Sequence, residues 1–231
     1  MVGTGRGMND SEPAAILFDI DGTLVDSTYH HAIAWQRAFK RRDLTIPLWR
    51  VHRTIGMGGD KLVAEVAGDD VEERLGDDLR DLWREEYIKI KGEVDPLPGA
   101  AELVRTLADR GYRVALASSG DPEFADETLD DLEIRDHVAE LKTSADVDGS
   151  KPEPDLIEVT LEALGTSRGV LVGDTPYDVI AAERAGLRCI GLRSGGYSEA
   201  ELTDAGAVLV VDTPEDLLDL DWEKYLSGGD A

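Results

Sequence analysis

Apolar residues fall along this chain in two rhythms. Ala15, Ile16, Leu17 and Phe18 form a short continuous apolar run that ends in polar residues. That pattern predicts a strand over 15–18, buried on both faces. From there to about residue 95 the rhythm is helical. It predicts a helix over 30–42 and a second starting at Pro47, a residue suited to a first helical turn. Leu48, Val51 and Ile55 follow at i, i+3 and i+7 before Gly56, Gly58 and Gly59 interrupt the pattern. A short helix is predicted over 61–67. A long one is predicted over 71–91, with Val71, Leu75, Leu79 and Leu82 on one stripe.

Pro96-Leu97-Pro98-Gly99 then punctuates the chain. Beyond it, predicted helices over 100–110, 124–132, 154–164, 178–185, 198–205 and 214–218 alternate with predicted strands over 114–117, 138–141, 169–172, 189–192 and 208–211. Strands separated by helices imply parallel βα units. The expected fold is therefore α/β, a Rossmann-like open parallel sheet with an all-helical domain inserted after its first strand. Residues 1–26 and 96–231 would form the α/β core, and 27–95 the insertion. In such sheets function gathers in the loops beyond the carboxyl ends of the strands.

Composition narrows the partners. The 231 residues are 42% hydrophobic, enough for a packed core with a smaller domain attached. No run of 18 apolar residues exists, so no membrane span is expected. Residues 1–11 are Gly-rich and polar, without an apolar signal core, and read as a frayed tail. Cys189, the single cysteine, leaves no intrachain disulfide and no cysteine-rich metal site. It sits in an apolar stretch and reads as a buried thiol. These features fit a cytoplasmic location. The balance of 24 basic against 49 acidic residues gives a net charge of −25. Such a surface repels nucleic-acid phosphates. It also makes every cation near a site for negative substrates informative.

Three predicted strand ends carry conspicuous polar residues. Asp19-Ile20-Asp21-Gly22-Thr23 follows the first strand, Ser118-Ser119-Gly120 the second, and Gly173-Asp174-Thr175-Pro176-Tyr177-Asp178 the strand over 169–172. Lys151-Pro152-Glu153-Pro154-Asp155 opens a helix. Together they suit phosphoryl transfer, which needs an in-line nucleophile, cancellation of negative charge and a proton for the leaving oxygen. Asp19 can attack, since a free carboxylate is ionised at neutral pH. Mg²⁺ held by Asp19 and Asp174 would screen the repulsion, with Lys151 as a second positive charge. Ser118 would bond a phosphoryl oxygen, and Asp21 would serve as acid and then base. Plainer roles exist: Asp178 also fits a helix cap, Ser118 and Ser119 strand-end caps, and Lys151 a surface cation.

The four elements, in this order, resemble the motifs of the haloacid-dehalogenase superfamily, over about residues 16–211. The resemblance implies that Asp19 is nucleophile and metal ligand. Asp21 would add acid–base chemistry and a backbone-carbonyl metal contact, Asp174 would be a metal ligand, and Asp178 would bind the metal or hold a metal-bound water. It implies Mg²⁺ as cofactor, a small phosphorylated metabolite as substrate, and residues 27–95 as a helical cap closing over the site. The subgroup resembled contains phosphoglycolate phosphatases and β-phosphoglucomutases.

Substrate choice would lie in the cap. The stretch Arg53-Thr54-Ile55-Gly56-Met57-Gly58-Gly59-Asp60-Lys61 resembles a substrate-specificity loop, and Arg53 and Lys61 are scarce cations that could meet an anionic substrate. A β-phosphoglucomutase-like mutase is a second reading, weakened because Met57-Gly58-Gly59 stands where such mutases carry an arginine. A phosphonoacetaldehyde hydrolase-like enzyme is a third, suggested by Lys61 after the Met-Gly pair but opposed by the intact Asp21. Haloacid dehalogenase is disfavoured by the same aspartate. A binding module with no activity is opposed by the complete set of catalytic residues. Adjacent His30 and His31 point apart on a helix. His31 is expected near the site entrance and His30 in solvent. Trp35, Trp49 and Trp83 are expected to pack the cap, and the Asp69-Asp70 and Asp77-Asp78 pairs to lie on solvated faces.

Overall fold

The computed structural model describes residues 14–226. The tail expected over 1–11 lies outside them. The chain begins with strand β1 (Ala15–Phe18) and then runs through four helices: α1 (Thr28–Lys40), α2 (Leu48–His52), α3 (Gly59–Ala67) and α4 (Asp69–Ile88). Next come α5 (Ala100–Asp109), β2 (Arg113–Ala117), α6 (Pro122–Asp131), β3 (Glu140–Lys142) and α7 (Asp155–Leu164). The chain closes with β4 (Gly169–Gly173), α8 (Pro176–Arg184), β5 (Arg188–Leu192), α9 (Glu199–Asp204) and β6 (Leu209–Val211). The helix predicted over 214–218 is a single 3₁₀ turn, Pro214–Leu217. Its Thr213 and Asp216 cap each other, and the segment is too short to continue as an α-helix.

The six strands form one sheet in the order β3-β2-β1-β4-β5-β6, every pairing parallel. Side-chain alternation divides the interior in two. Ile16 and Phe18 face a cluster built with Leu103, Leu107 and Leu129 of α5 and α6. Ala15 and Leu17 face the other, with Ile157, Leu161 and Val179 of α7 and α8. Cys189 is buried in this second cluster.

Helices α1 to α4 pack on one another around a separate cluster that includes Trp35, Phe39, Val63 and Leu79. The chain enters and leaves this helical block through two short paired segments. Asp26 N–H donates to the Asp95 carbonyl at 2.9 Å, and Leu97 N–H to the Leu24 carbonyl at 2.9 Å. Progress along the sheet reverses at β1. β2 and β3 extend to one side of it, β4 to β6 to the other. The crevice at that reversal is where such sheets bind ligands, and β1, β2 and β4 are the strands that carry the polar ends.

Candidate active site

Asp19 follows β1 and is buried, with its Oδ1 2.5 Å from Lys151 Nζ. The same ammonium lies 2.7 Å from Asp178 Oδ1. Asp178 uses its other oxygen to accept from Thr175 N–H at 3.0 Å and Thr175 Oγ1 at 2.6 Å, the capping box that starts α8. Helix cap and charge partner are thus one residue. Asp174, at the end of β4, is fully buried. Its Oδ1 accepts from Thr23 Oγ1 at 3.3 Å, and its Oδ2 has no partner among the described residues.

Three carboxylates and one ammonium buried together leave excess negative charge, and their acidities show it. Burial is the largest influence on Asp19 and pushes its pKa up to about 7; Lys151 opposes, while Asp178 and Asp21 reinforce. Burial, Asp178 and Asp19 push Asp174 up as well. For Lys151 burial works against the charged form, but Asp178 and Asp19 outweigh it and hold the ammonium above the ordinary lysine range.

This arrangement fits a hard divalent cation. Asp19, Asp174 and Asp178 offer oxygens that all lie within 4.8 Å of one another, and Asp174 Oδ2 is a buried acceptor in need of a partner. Space is kept clear beside it: a Cβ on Gly22, whose φ is +75°, or on Gly195 would collide with that oxygen. The donors are all oxygen, the set that hard cations prefer.

The carboxylate of Asp21 is turned away from this group. Its Oδ1 accepts from Ser27 Oγ at 2.5 Å and lies 2.8 Å from His31 Nε2. Burial would raise Asp21, but His31 and Ser27 prevail and hold it below the ordinary carboxylate range. Ser27 and His31 sit four residues apart at the start of α1, so one helical face delivers both. That spacing was the available sequence signal. His31 is buried rather than merely near an entrance, its ring stacked on Tyr87 at 4.1 Å. His30 is half-buried, with Nδ1 3.0 Å from the Asp26 carbonyl.

Ser118 and Ser119 follow β2. Ser118 Oγ accepts from Gly120 N–H at 3.0 Å, which leaves its hydroxyl hydrogen to donate elsewhere; Ser119 Oγ is buried without a partner among the described residues. Both line a cavity of about 400 Å³ that Asp19 and Asp21 also reach and the helical block walls in.

The two cations expected to meet substrate are elsewhere. Arg53 stacks over Tyr197 at 4.1 Å and pairs with Glu201. Its carbonyl accepts from Tyr177 and Tyr197 hydroxyls at 2.8 and 2.9 Å. Lys61 Nζ donates to the Ser150 carbonyl at 2.6 Å and pairs with Glu153 at 3.5 Å. Neither lines the cavity. Both instead fasten the helical block to the α/β core. The arginines that do line the cavity are Arg80 and Arg84 of α4, which sequence reasoning missed. Trp35 and Trp83 line it too, while Trp49, expected in the packing, is 67% exposed. Asp69 and Asp70 lie at the exposed start of α4, whereas Asp77 and Asp78 pair with Arg80 and Arg42.

A crystal structure of a hydrolase from Pseudomonas syringae superposes with a TM-score of 0.84 at 32% identity, covering 89% of this chain and 96% of that one. A phosphoglycolate phosphatase of Pseudomonas putida is 29% identical over 89% of this chain and 79% of its own length. Validoxylamine A 7'-phosphate phosphatase of Streptomyces hygroscopicus subsp. limoneus is 28% identical over 89% of this chain and 95% of its own. The family model for haloacid dehalogenase-like hydrolases matches residues 16–192, from β1 through β5, and the chain belongs to that family.

Proposed function

We propose that this protein is a Mg²⁺-dependent phosphatase of small phosphorylated metabolites that works through an aspartyl-phosphate on Asp19. The observation that carries the reading is the division of labour between the two neighbouring aspartates. Asp19 faces Lys151 and the buried carboxylates, while Asp21 faces His31 and Ser27. One is set among charges that manage an anion, the other is aimed by an imidazole and a hydroxyl of the helical block.

Asp19 attacks phosphorus, and the bond from phosphorus to the leaving oxygen breaks. Asp21, its carboxylate aimed by His31 Nε2 at 2.8 Å, gives that oxygen a proton. Asp21 then takes a proton from the water that attacks the aspartyl-phosphate, releasing inorganic phosphate and restoring Asp19. Ser118, Ser119 and Lys151 hold the phosphoryl oxygens. Mg²⁺ held by Asp19, Asp174, the Asp21 carbonyl and Asp178 would offset the repulsion between two anions. Residues 27–95 serve as the cap, limiting substrates to what a cavity of about 400 Å³ accepts and excluding bulk water. The phosphatase relatives support this chemistry. No helix among the described residues is long and apolar enough to cross a membrane, and the acidity argues against nucleic-acid partners; we place the enzyme in the cytoplasm.

The test is hydrolysis of nitrophenyl phosphate, with and without chelator, followed by mass spectrometry of active-site peptides. Activity is expected to vanish with chelator and return with Mg²⁺, and trapped phosphate to map to Asp19. Full turnover by Asp19→Asn, or phosphate on another residue, refutes the mechanism.

A further inference from the structure

The cavity carries its charge unevenly. Six aspartates line it against two arginines. Asp19 and Asp21 form the reactive end. Both arginines are already matched. Arg80 donates to Glu72, Asp77 and the Gly59 carbonyl, each at 2.9 Å. Arg84 pairs with Asp121 at 3.3 Å and with Glu123, and its guanidinium lies 4.8 Å over the Phe124 ring. Asp60, Asp81 and Asp148 also line the cavity, are exposed, and have no ion pair among the described residues. Arg53 and Lys61, which could have offset them, point away and are engaged with Glu201 and Glu153.

Beyond the reactive end, therefore, no unmatched arginine or lysine lines the wall among the described residues, and three unmatched carboxylates do. A second anionic group on a substrate would enter a field of its own sign, and like charges brought together across a contact are penalised. An uncharged or cationic group meets no such penalty. It also meets the indole rings of Trp35 and Trp83, stacked on one another at 5.5 Å and both on the cavity wall, an uncharged surface that imposes no penalty on it.

We propose that the substrate is a phosphate monoester whose organic part carries no second anionic group, with a protonated amine favoured over a neutral hydroxyl. This rests on the phosphatase reading and narrows it: a carboxylate-bearing phosphate such as phosphoglycolate is a poor substrate here, whatever the names of the relatives.

Three compounds of matched size test it: phosphoglycolate, hydroxyethyl phosphate and aminoethyl phosphate, which differ in charge at one end. With the Mg²⁺-loaded enzyme, kcat/KM is expected to rise in that order, by at least about tenfold from first to last. If none of the three is turned over, their inhibition constants against nitrophenyl phosphate are expected to fall in the same order. The triple substitution Asp60→Asn, Asp81→Asn, Asp148→Asn is expected to shrink the gap below about threefold, chiefly by improving phosphoglycolate. Phosphoglycolate equal to or better than hydroxyethyl phosphate overturns the proposal. So does a gap that survives the triple substitution undiminished. If nitrophenyl phosphate itself is not hydrolysed, the phosphatase reading fails instead. The same order of affinities, measured by calorimetry, then decides this inference separately.

Discussion

His31 Nε2 lies 2.8 Å from Asp21 Oδ1, and its ring is stacked on Tyr87, 4.1 Å away. A residue of the helical block thus fixes the direction of a carboxylate in the α/β core. Replacing it tests whether that fixing matters. His31→Ala is expected to lower kcat by about tenfold or more with little change in KM, because a misdirected acid loses part of the ~10²–10⁴-fold that such catalysis contributes. His31→Gln, which can still donate to Asp21, is expected to recover part of the loss. A purely structural role would move stability and leave kcat of the folded fraction unchanged.

Asp21→Asn isolates proton transfer from attack. Nitrophenyl phosphate has a good leaving group that needs little protonation, whereas an alkyl phosphate needs a full proton. The loss is expected to approach ~10²–10⁴-fold for alkyl esters and to be smaller for the aryl ester. Phosphate is expected to accumulate on Asp19 in this variant, since hydrolysis of the intermediate needs the same base. Equal losses on both ester types would remove Asp21 from the acid role.

Asp174 Oδ2 is buried without a partner among the described residues, in a cluster of three carboxylates where Lys151 pairs with Asp19 and Asp178. In metal-free protein Asp174→Asn is therefore expected to raise the thermal midpoint, because it removes a carboxyl whose ionisation burial and its carboxylate neighbours oppose, so that folding no longer forces it to take up a proton or stay charged. In the parent protein, Mg²⁺ at a hundred times its Kd is expected to add about 2.7 kcal/mol of stability. In Asp174→Asn that gain is expected to shrink or disappear. Differential scanning calorimetry with and without Mg²⁺ reads both effects without recourse to activity. Undiminished stabilisation by Mg²⁺ in the variant would place the ion elsewhere.

Glu201 joins helical block and core through Arg53 and also closes the Ser198 capping box of α9, and the carboxylate held by both has a pH signature. Hydrogen bonds from Ser198 and Arg53 hold Glu201 down to about 2, below the 4.5 of an ordinary glutamate. A carboxylate depressed in the folded state stabilises it above the unfolded pKa and loses that effect as pH falls toward the folded one. Urea midpoints of the parent and Glu201→Gln are expected to differ most near pH 6 and to converge as pH falls through the window from 4.5 to about 2. A constant difference across that range would deny Glu201 the role.

Local rhythm determined most of the fold. The apolar run at 15–18, the glycine and proline punctuation and the 3.6-residue stripes specify strands and helices because those preferences act over a few residues. The polar strand ends were equally plain, since Asp19, Ser118 and Asp174 stand at or within one residue of the end of an apolar run, with Asp21 two residues beyond Asp19, and parallel βα topology brings such ends to one side of the sheet. Tertiary structure decided the rest. Whether a cation is available to a ligand depends on which carboxylates fold against it. Arg53 is taken up by Glu201, 148 positions away, and Lys61 by Ser150 and Glu153, while Arg80 and Arg84 reach the cavity wall already paired. Asp21 and His31 are ten residues apart, yet their contact depends on how α1 leaves the core. Pairing of this kind is a property of surfaces brought together from distant segments, and no window of neighbouring residues contains both partners and their orientation.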